Sequence, residues 1–254
     1  MMSQATGTQA IDRAAELLVR IVESGTPLGV GELAERSGLP KSTTSRLVGA
    51  LERQGLLQRE GQRGRFRPGP VLLRFAHRAD ASLVELAEPS LARLAEESGE
   101  TVNLGVPTGT GVEHLAQRDS RHYVGVGNWV GRRVPLHATA NGKVFLAWGA
   151  VPIPAELERL TPKTLTDRAA LQQDLALART RAYATTTDEL EDGLSALAAP
   201  VFGDGGDVIA ALSISGPTTR LTAERREKLA PVLLEQARAL SRRLGHRPVD
   251  RGAA

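Results

Sequence analysis

The stretch that most constrains this chain runs from Val30 to Gln58, VGELAERSGLPKSTTSRLVGALERQGLLQ. It predicts a short helix over Gly31–Ser37 that buries Leu33 and Ala34. Gly38-Leu39-Pro40 then turns the chain, because Gly38 is free to take positive φ and Pro40 cannot extend the first helix. A second helix starts near Lys41 and runs to about Gln54. Its Leu47, Val48 and Leu51 recur at three- and four-residue spacing and so share the inward face. Lys41, Ser42, Thr43, Ser45 and Arg46 lie on or beside the opposite face, near the helix N-terminus. Hydroxyls there can reach phosphates or bases, and an arginine can fork onto a guanine, as a recognition helix in a major groove requires. A solvated helical hairpin would carry similar side chains. The spacing favours a helix-turn-helix instead, with small Ala34, Gly38 four residues later and apolar Leu47 nine after that.

The next segment, Leu56 to Arg67, predicts a two-stranded wing. Leu57 and Arg59, then Arg65 and Arg67, sit in short alternating runs around a Gly61-Gln62-Arg63-Gly64 turn. From Arg53 to Arg78 there are seven arginines and one acid, Glu60. Such a hairpin beside a recognition helix puts guanidinium groups on flanking phosphates or in a minor groove. The candidate DNA contacts are therefore Lys41, Ser42, Thr43, Thr44 and Arg46 on the helix, with Arg63 and Arg65 on the wing. Charge agrees with this placement. Residues 1–79 carry 12 Lys+Arg and 7 Asp+Glu, a net of +5, whereas the remainder carries 20 and 22, a net of −2.

At 254 residues the chain can hold one small and one medium domain, each with its own core. No apolar run approaches the roughly 20 residues of a membrane span, and the first ten residues lack the basic start and apolar core of a signal peptide. Cysteine is absent, which excludes a disulfide framework, a thiolate metal site and a thiol nucleophile. A cytoplasmic protein is expected.

Before the helix-turn-helix, residues 1–8 read as a polar arm, and Ile11, Ala14, Leu18, Ile21 and Val22 as the apolar stripe of a scaffold helix. After the wing, Pro68-Gly69-Pro70 breaks the chain, and Val71–Ala79 reads as a short linker helix with exposed Leu72, Leu73 and Phe75. The domain boundaries expected are 1–68, linker 69–80, second domain 81–246 and a disordered tail 247–254. In the second domain a helix reaches Gly99, kinked or divided at Pro89. Strands are expected at Thr101–Val106, Gly111–Gln117, His122–Val126, Tyr183–Thr187, Leu194–Phe202 and Asp207–Ser215. Helices are expected at Ala138–Trp148, Pro154–Leu160, Asp167–Arg179 and Thr222–Leu244. The mixture is an α+β fold around a mostly antiparallel sheet, with no internal repeat.

Several stretches resemble catalytic motifs and fail on inspection. Gly125 to Gly131 is one residue off a dinucleotide loop, with bulky Trp129 where a phosphate would approach. Gly142-Lys143 resembles the end of a phosphate loop, but Val144 replaces the required hydroxyl residue. Ser195 lacks the second glycine of a nucleophile elbow. His114, His122 and His137 have no metal-ligand spacing, and His137 reads as a capping or core histidine. Asp188, Glu189, Glu191 and Asp192 read as a solvated acidic loop. No catalytic, metal or cofactor site is expected.

Arg133-Val134-Pro135-Leu136-His137-Ala138-Thr139-Ala140-Asn141-Gly142-Lys143, together with Asp188–Pro200 and Ala211–Pro217, resembles the IclR family of bacterial transcriptional regulators. The resemblance covers residues 9–245 in order. It implies an N-terminal winged helix-turn-helix, a linker helix and a C-terminal GAF-like domain that binds a small metabolite. It further implies a homodimer or homotetramer on a partly palindromic double-stranded DNA operator. Carried over by position, the effector pocket comprises Tyr123, Val126, Val134, Ala140, Asn141, Leu194, Ala196, Ser213 and Ser215, to which Trp129 is added from its place in the loop. The family pattern often has an acid at Thr186, a cysteine at Ala196 and an Asp or Asn at Gly203. Their replacement leaves hydroxyls, one amide and apolar surface, which points to a larger, partly apolar or aromatic acid. The rival readings are an architectural DNA binder without ligand control and an enzyme with an appended DNA-binding domain.

Overall fold

A computed structural model describes residues 8–61, 64–123 and 125–247. Residues 1–7 of the expected N-terminal arm, the expected DNA contact Arg63 and all of the expected tail but Arg247 lie outside these residues. The chain divides into two compact units, residues 1–81 and 82–254.

The first unit contains helices α1 (Gln9–Glu23), α2 (Val30–Ser37) and α3 (Lys41–Arg53) and strands β1 (Leu57–Glu60) and β2 (Arg65–Pro68). Gly38 closes α2 at φ 68°, and the amide of Leu39 reaches back to the Ala34 carbonyl at 3.1 Å, so the sharp corner satisfies its own carbonyls. The wing is an antiparallel pair with Leu57 opposite Pro68 and Glu60 opposite Arg65. Leu28 exchanges two backbone hydrogen bonds with Phe66, at 3.0 and 2.8 Å, and so ties the wing to the segment before α2. Leu17, Ile21, Leu28, Leu33, Val48, Leu57 and Phe66 form the core. The stripe of α1 is accordingly centred on Leu17 and Ile21. Ile11 and Val22, expected on the inner face, are exposed.

Helix α4 (Pro70–Ser98) is continuous and contains Pro89. It replaces the expected short linker helix and separate following helix. The division between the two units falls within it.

The second unit is built on β3 (Thr101–Pro107), β4 (Val112–Arg118), β5 (Arg133–Val134), β6 (Ala184–Thr187), β7 (Leu194–Phe202) and β8 (Val208–Pro217), with helices α5 (Ala140–Ala147), α6 (Arg168–Arg181) and α7 (Ala223–Arg243). The six strands lie in the order β5-β4-β3-β8-β7-β6, and every neighbouring pair is antiparallel. Side chains alternate across a strand, and here both faces are covered. Val102, Leu104, Leu197, Ala199, Val201, Leu212 and Ile214 meet α4 and α7 on one face. Ala198 and Ala211 meet the α5–α6 layer on the other.

Two expected elements are absent. The segment 122–126 forms no strand, the outer strand being Arg133–Val134 instead; Val124 within the expected segment is not among the described residues. The His122 N–H goes to Ser120 Oγ at 3.1 Å and, beyond the segment, the Trp129 N–H goes to Gln117 Oε1 at 3.0 Å. The segment 154–160 is not helical. The Glu158 carbonyl is bonded to His137 Nε2 at 2.8 Å, and the Leu160 amide to Thr164 Oγ1 at 3.1 Å, so groups an α-helix would use are committed elsewhere.

Candidate functional site

Two sites emerge, one in each unit. On α3, Lys41, Ser42, Ser45 and Arg46 are exposed and Thr43 is half-buried. The helix has no side-chain cap, so its first amides are free to meet an anion such as a phosphate. Thr44 departs from the expected contact set. It is fully buried, and its hydroxyl donates to the Pro40 carbonyl at 3.1 Å. Four residues before Val48, it falls on the core side of the helix, whereas its neighbour Ser45 is exposed.

The wing arginines are tethered. Arg65 donates to the Pro27 carbonyl at 2.8 Å and pairs with Glu32 at 3.0 Å. Arg59 pairs with Glu52 at 3.2 Å and lies 4.9 Å over the Phe66 ring. Arg67 approaches Glu60 at 3.9 Å. The Glu32 carboxyl is held below its ordinary range, first by the Gly29 amide, at 2.7 Å, and further by Arg65 and Arg36. Arg46 carries no such carboxylate partner in the described contacts, so the recognition helix and the wing present different kinds of positive charge.

In the second unit, a pocket partly open to solvent lies between the sheet and α5. Strand alternation builds its floor. Val102 and Leu104 point to the α7 face, so Asn103 between them points to the α5 face; Ser213 is its cross-strand partner, and Ser215 pairs with Ala196. Asn141 is on the first turn of α5. Thr139 caps that helix by accepting from the Gly142 amide at 3.2 Å while donating to the Pro135 carbonyl at 2.7 Å. Gly142 is required by close packing, since a Cβ there would lie 2.1 Å from the Leu136 carbonyl oxygen. This accounts for the glycine that made Gly142-Lys143 resemble a phosphate loop.

Val126, Trp129, Val134, Ala140, Asn141, Leu194, Ala196, Ser213 and Ser215 all line the pocket. Tyr123 does not; it is fully exposed on the loop after β4. Asn103, His114, Ala138, Thr139, Thr186 and Leu190 complete the lining and were not among the expected contacts. Alternation across β3, once its pairing with β8 is known, is the signal that finds Asn103.

The polar groups of the pocket are incompletely satisfied. Asn103 Nδ2 donates to Ser215 Oγ at 3.3 Å, and Asn141 Nδ2 lies 3.3 Å from His114 Nε2. The amide oxygens of both asparagines are buried and have no protein partner. Burial pushes His114 down to about 4, so the ring is neutral at pH 7 and can accept at Nε2, while its Nδ1 is buried without a hydrogen-bond partner. No charged side chain lines the pocket.

Behind this lining, Lys143 is buried, with Nζ 2.7 Å from both Glu189 Oε1 and Asp174 Oδ2. The expected solvated acidic loop is therefore half wrong: Asp188 and Glu189 are buried, while Glu191 and Asp192 are exposed. Asp188, at φ 56°, accepts from Lys163 and Thr218, each at 2.5 Å, and Lys163 foremost holds its carboxyl below the ordinary range. Thr161 and Thr164 donate to the Asp188 and Glu189 carbonyls at 2.6 and 2.7 Å. These bonds fix the loop that presents Leu190. His137 is a buried core histidine, as its sequence context suggested. Among the described residues no group of three or more His, Asp or Glu could hold a metal ion, and no helix is long and apolar enough to cross a membrane.

A winged helix-turn-helix followed by an α+β unit with a pocket lined by apolar and polar side chains defines a class, the ligand-responsive DNA-binding regulators. Residues 10–61 match the IclR helix-turn-helix domain, and residues 76–242 match the bacterial transcriptional regulator IclR C-terminal domain. The chain belongs to the IclR family of bacterial transcriptional regulators. It is 37% identical over 245 residues to the HTH-type transcriptional regulator BhcR of Paracoccus denitrificans, covering 92% of this chain and 87% of that one. The Thermotoga maritima IclR structure is similar with a TM-score of 0.62 at 28% identity, covering 94% of this chain and all of that one (100%). An IclR homologue from Microbacterium hydrocarbonoxydans, solved in complex with 4-hydroxybenzoate, gives a TM-score of 0.59 at 28% identity, covering 93% of this chain and 99% of that one.

Proposed function

We propose that this regulator's hold on its operator is set by a small, partly apolar organic acid, an aromatic acid in the first instance, bound between the sheet and α5. The observation that carries this reading is the pocket itself. Trp129, Val134, Leu190 and Leu194 supply apolar walls, and Asn103 and Asn141 supply buried polar atoms that lack a protein partner. A buried polar group without a partner is costly, and a ligand that satisfies it gains specificity. The 4-hydroxybenzoate complex of the Microbacterium relative supports the choice of an aromatic acid.

On DNA, Ser42, Thr43, Ser45 and Arg46 read the operator, and Lys41, Arg63 and Arg65 hold phosphates or groove edges. Residues 81–246 bind the effector and assemble the cytoplasmic homodimer or homotetramer on a partly palindromic site. Two winged units then address half-sites roughly 34 Å apart. Effector binding shifts the balance between DNA-competent and incompetent arrangements, for which a coupling of about 1–3 kcal/mol suffices.

The test is a thermal-shift screen of the full chain against plain and hydroxylated benzoates and short-chain organic acids, followed by a gel shift with each hit. A true effector stabilises the fold in a concentration-dependent way, by about 2.7 kcal/mol at 100 times its Kd, and changes operator affinity. Ser213→Ala lowers effector affinity and leaves DNA binding in the absence of effector unchanged. A stabilising acid with no effect on DNA binding would favour the architectural alternative.

A further inference from the structure

The polar floor of the pocket holds two unpartnered acceptors, beside the hydroxyls of Thr186, Ser213 and Ser215. Asn103 and Asn141 are 2% and 3% exposed, and each spends its amide nitrogen on a neighbour, Ser215 Oγ and neutral His114 Nε2 respectively. Each is left with an unpartnered carbonyl oxygen. No arginine or lysine lines this floor. Lys143, on the same helix as Asn141, is committed to Glu189 and Asp174 and is 1% exposed. A carboxylate seated against these two amide oxygens would lose its water and find no cation, whereas a hydroxyl there would donate where a donor is missing. The rim differs. The guanidinium of Arg132 lies 5.8 Å from the ring centroid of Trp129, a lining residue, and is exposed.

We infer that the effector enters hydroxyl first: it is a hydroxylated acid whose O–H donates to the amide oxygens of Asn103 and Asn141, and whose carboxylate remains at the rim beside Arg132. This rests on the reading of the pocket as the effector site, and it adds a ligand class, an orientation and two specificity-determining residues. The ring of an aromatic hydroxy acid would lie between Trp129 and the Leu190–Leu194 wall, which matches a ligand polar at both ends and apolar between. The opposite orientation, with the carboxylate inward at the start of α5, makes the hydroxyl dispensable.

Calorimetric titration of the full chain with benzoate, 3-hydroxybenzoate, 4-hydroxybenzoate and 4-hydroxybenzamide separates these cases. The expected result is that the better hydroxybenzoate binds about 10- to 100-fold more tightly than benzoate, the range for one satisfied buried hydrogen bond. Asn103→Leu brings the two within about threefold by weakening the hydroxybenzoate, and Arg132→Ala reduces the preference for 4-hydroxybenzoate over its amide. Benzoate binding as tightly as both hydroxybenzoates overturns the orientation and leaves the effector reading standing. A hydroxyl preference that survives Asn103→Leu overturns the role of Asn103. If none of the four binds, the aromatic-acid reading falls and the orientation with it. The wild-type series decides the orientation even if the leucine variant folds poorly.

Discussion

The two units use ion pairs in opposite ways. In the winged unit, Arg59–Glu52, Arg65–Glu32 and Arg67–Glu60 are partly exposed, with side-chain accessibilities between 32% and 53%. In the pocket unit, Lys143 is 1% exposed and pairs with Glu189 at 10%. Water competes for the first set, and an exposed pair contributes little to stability. The second set has been taken out of water, so each partner depends on the other. The Glu189 carboxyl is in fact held above its ordinary range, because burial outweighs the attraction of Lys143. The pair is therefore a fastening, costly to break and not a large net source of stability. The winged unit keeps its paired charges exchangeable, and the charges behind the pocket are locked.

The largest effect should come from breaking the locked pair on one side. Lys143→Met leaves Glu189 buried without its cation and should destabilise the fold by about 3–5 kcal/mol, read from urea unfolding of the full chain. The double variant Lys143→Met/Glu189→Leu should recover part of that loss, since the buried carboxylate leaves with its cation and Asp174, 31% exposed, is the one partner left unpaired. Additive losses in the double variant would show that Lys143 and Glu189 act independently, and the contrast with the wing would lose its basis.

A second buried group gives a pH signature. His114 is held at about 4 against an ordinary value of 6.5, so between these values the unfolded chain binds a proton that the fold refuses. The stability associated with neutral His114 is complete above pH 6.5 and is lost as pH falls toward 4, reaching about 3 kcal/mol. His114→Gln should flatten that part of the stability profile. An unchanged slope in the variant would mean that His114 is protonated in the fold near its ordinary pH.

What the sequence discloses follows the same division. The winged unit was legible because its signals are local: Gly38 and Pro40 at the corner, apolar spacing along α3, alternation in the wing. The one misplaced contact, Thr44, came from treating a run of hydroxyl residues as a single face, although one helical turn puts Thr44 above Val48. In the second unit the sequence located β7 and β8 and, with the family resemblance, most of the pocket. It missed Asn103 because that residue reaches the site through pairing with Ser213, 110 positions away in the chain. It missed the burial of Asp188 and Glu189 because their partners, Lys163, Thr218 and Lys143, come from separate elements. Tyr123 was assigned by position in a loop whose backbone is held by local side chains, and position alone does not set where such a side chain points.

Within the winged unit the recognition helix can be set against its own core face. Arg46→Ala should weaken specific operator binding by about 1–3 kcal/mol and relax base preference at one position. Thr44→Val, two residues earlier, should leave base preference and salt dependence unchanged and cost about 1 kcal/mol of fold stability through its lost bond to Pro40. Competition binding with operator variants, beside thermal unfolding, separates the two. Altered base preference in the valine variant would return Thr44 to the DNA face.

The smallest effect tests whether the wing charges are held in reserve. Glu52→Gln removes the carboxylate from Arg59 without changing side-chain size, and the guanidinium still lies over the Phe66 ring. Fold stability should be unchanged within error, as expected for an exposed pair. DNA binding at low salt should strengthen, and the slope of log affinity against log salt should steepen by up to about one if Arg59 then neutralises a phosphate. An unchanged slope would mean that Arg59 faces the protein in the complex as it does in the free chain. The wing would then act through its shape and its contacts to Leu28 and Glu32, with Arg46 on the recognition helix supplying the charge that reads the operator.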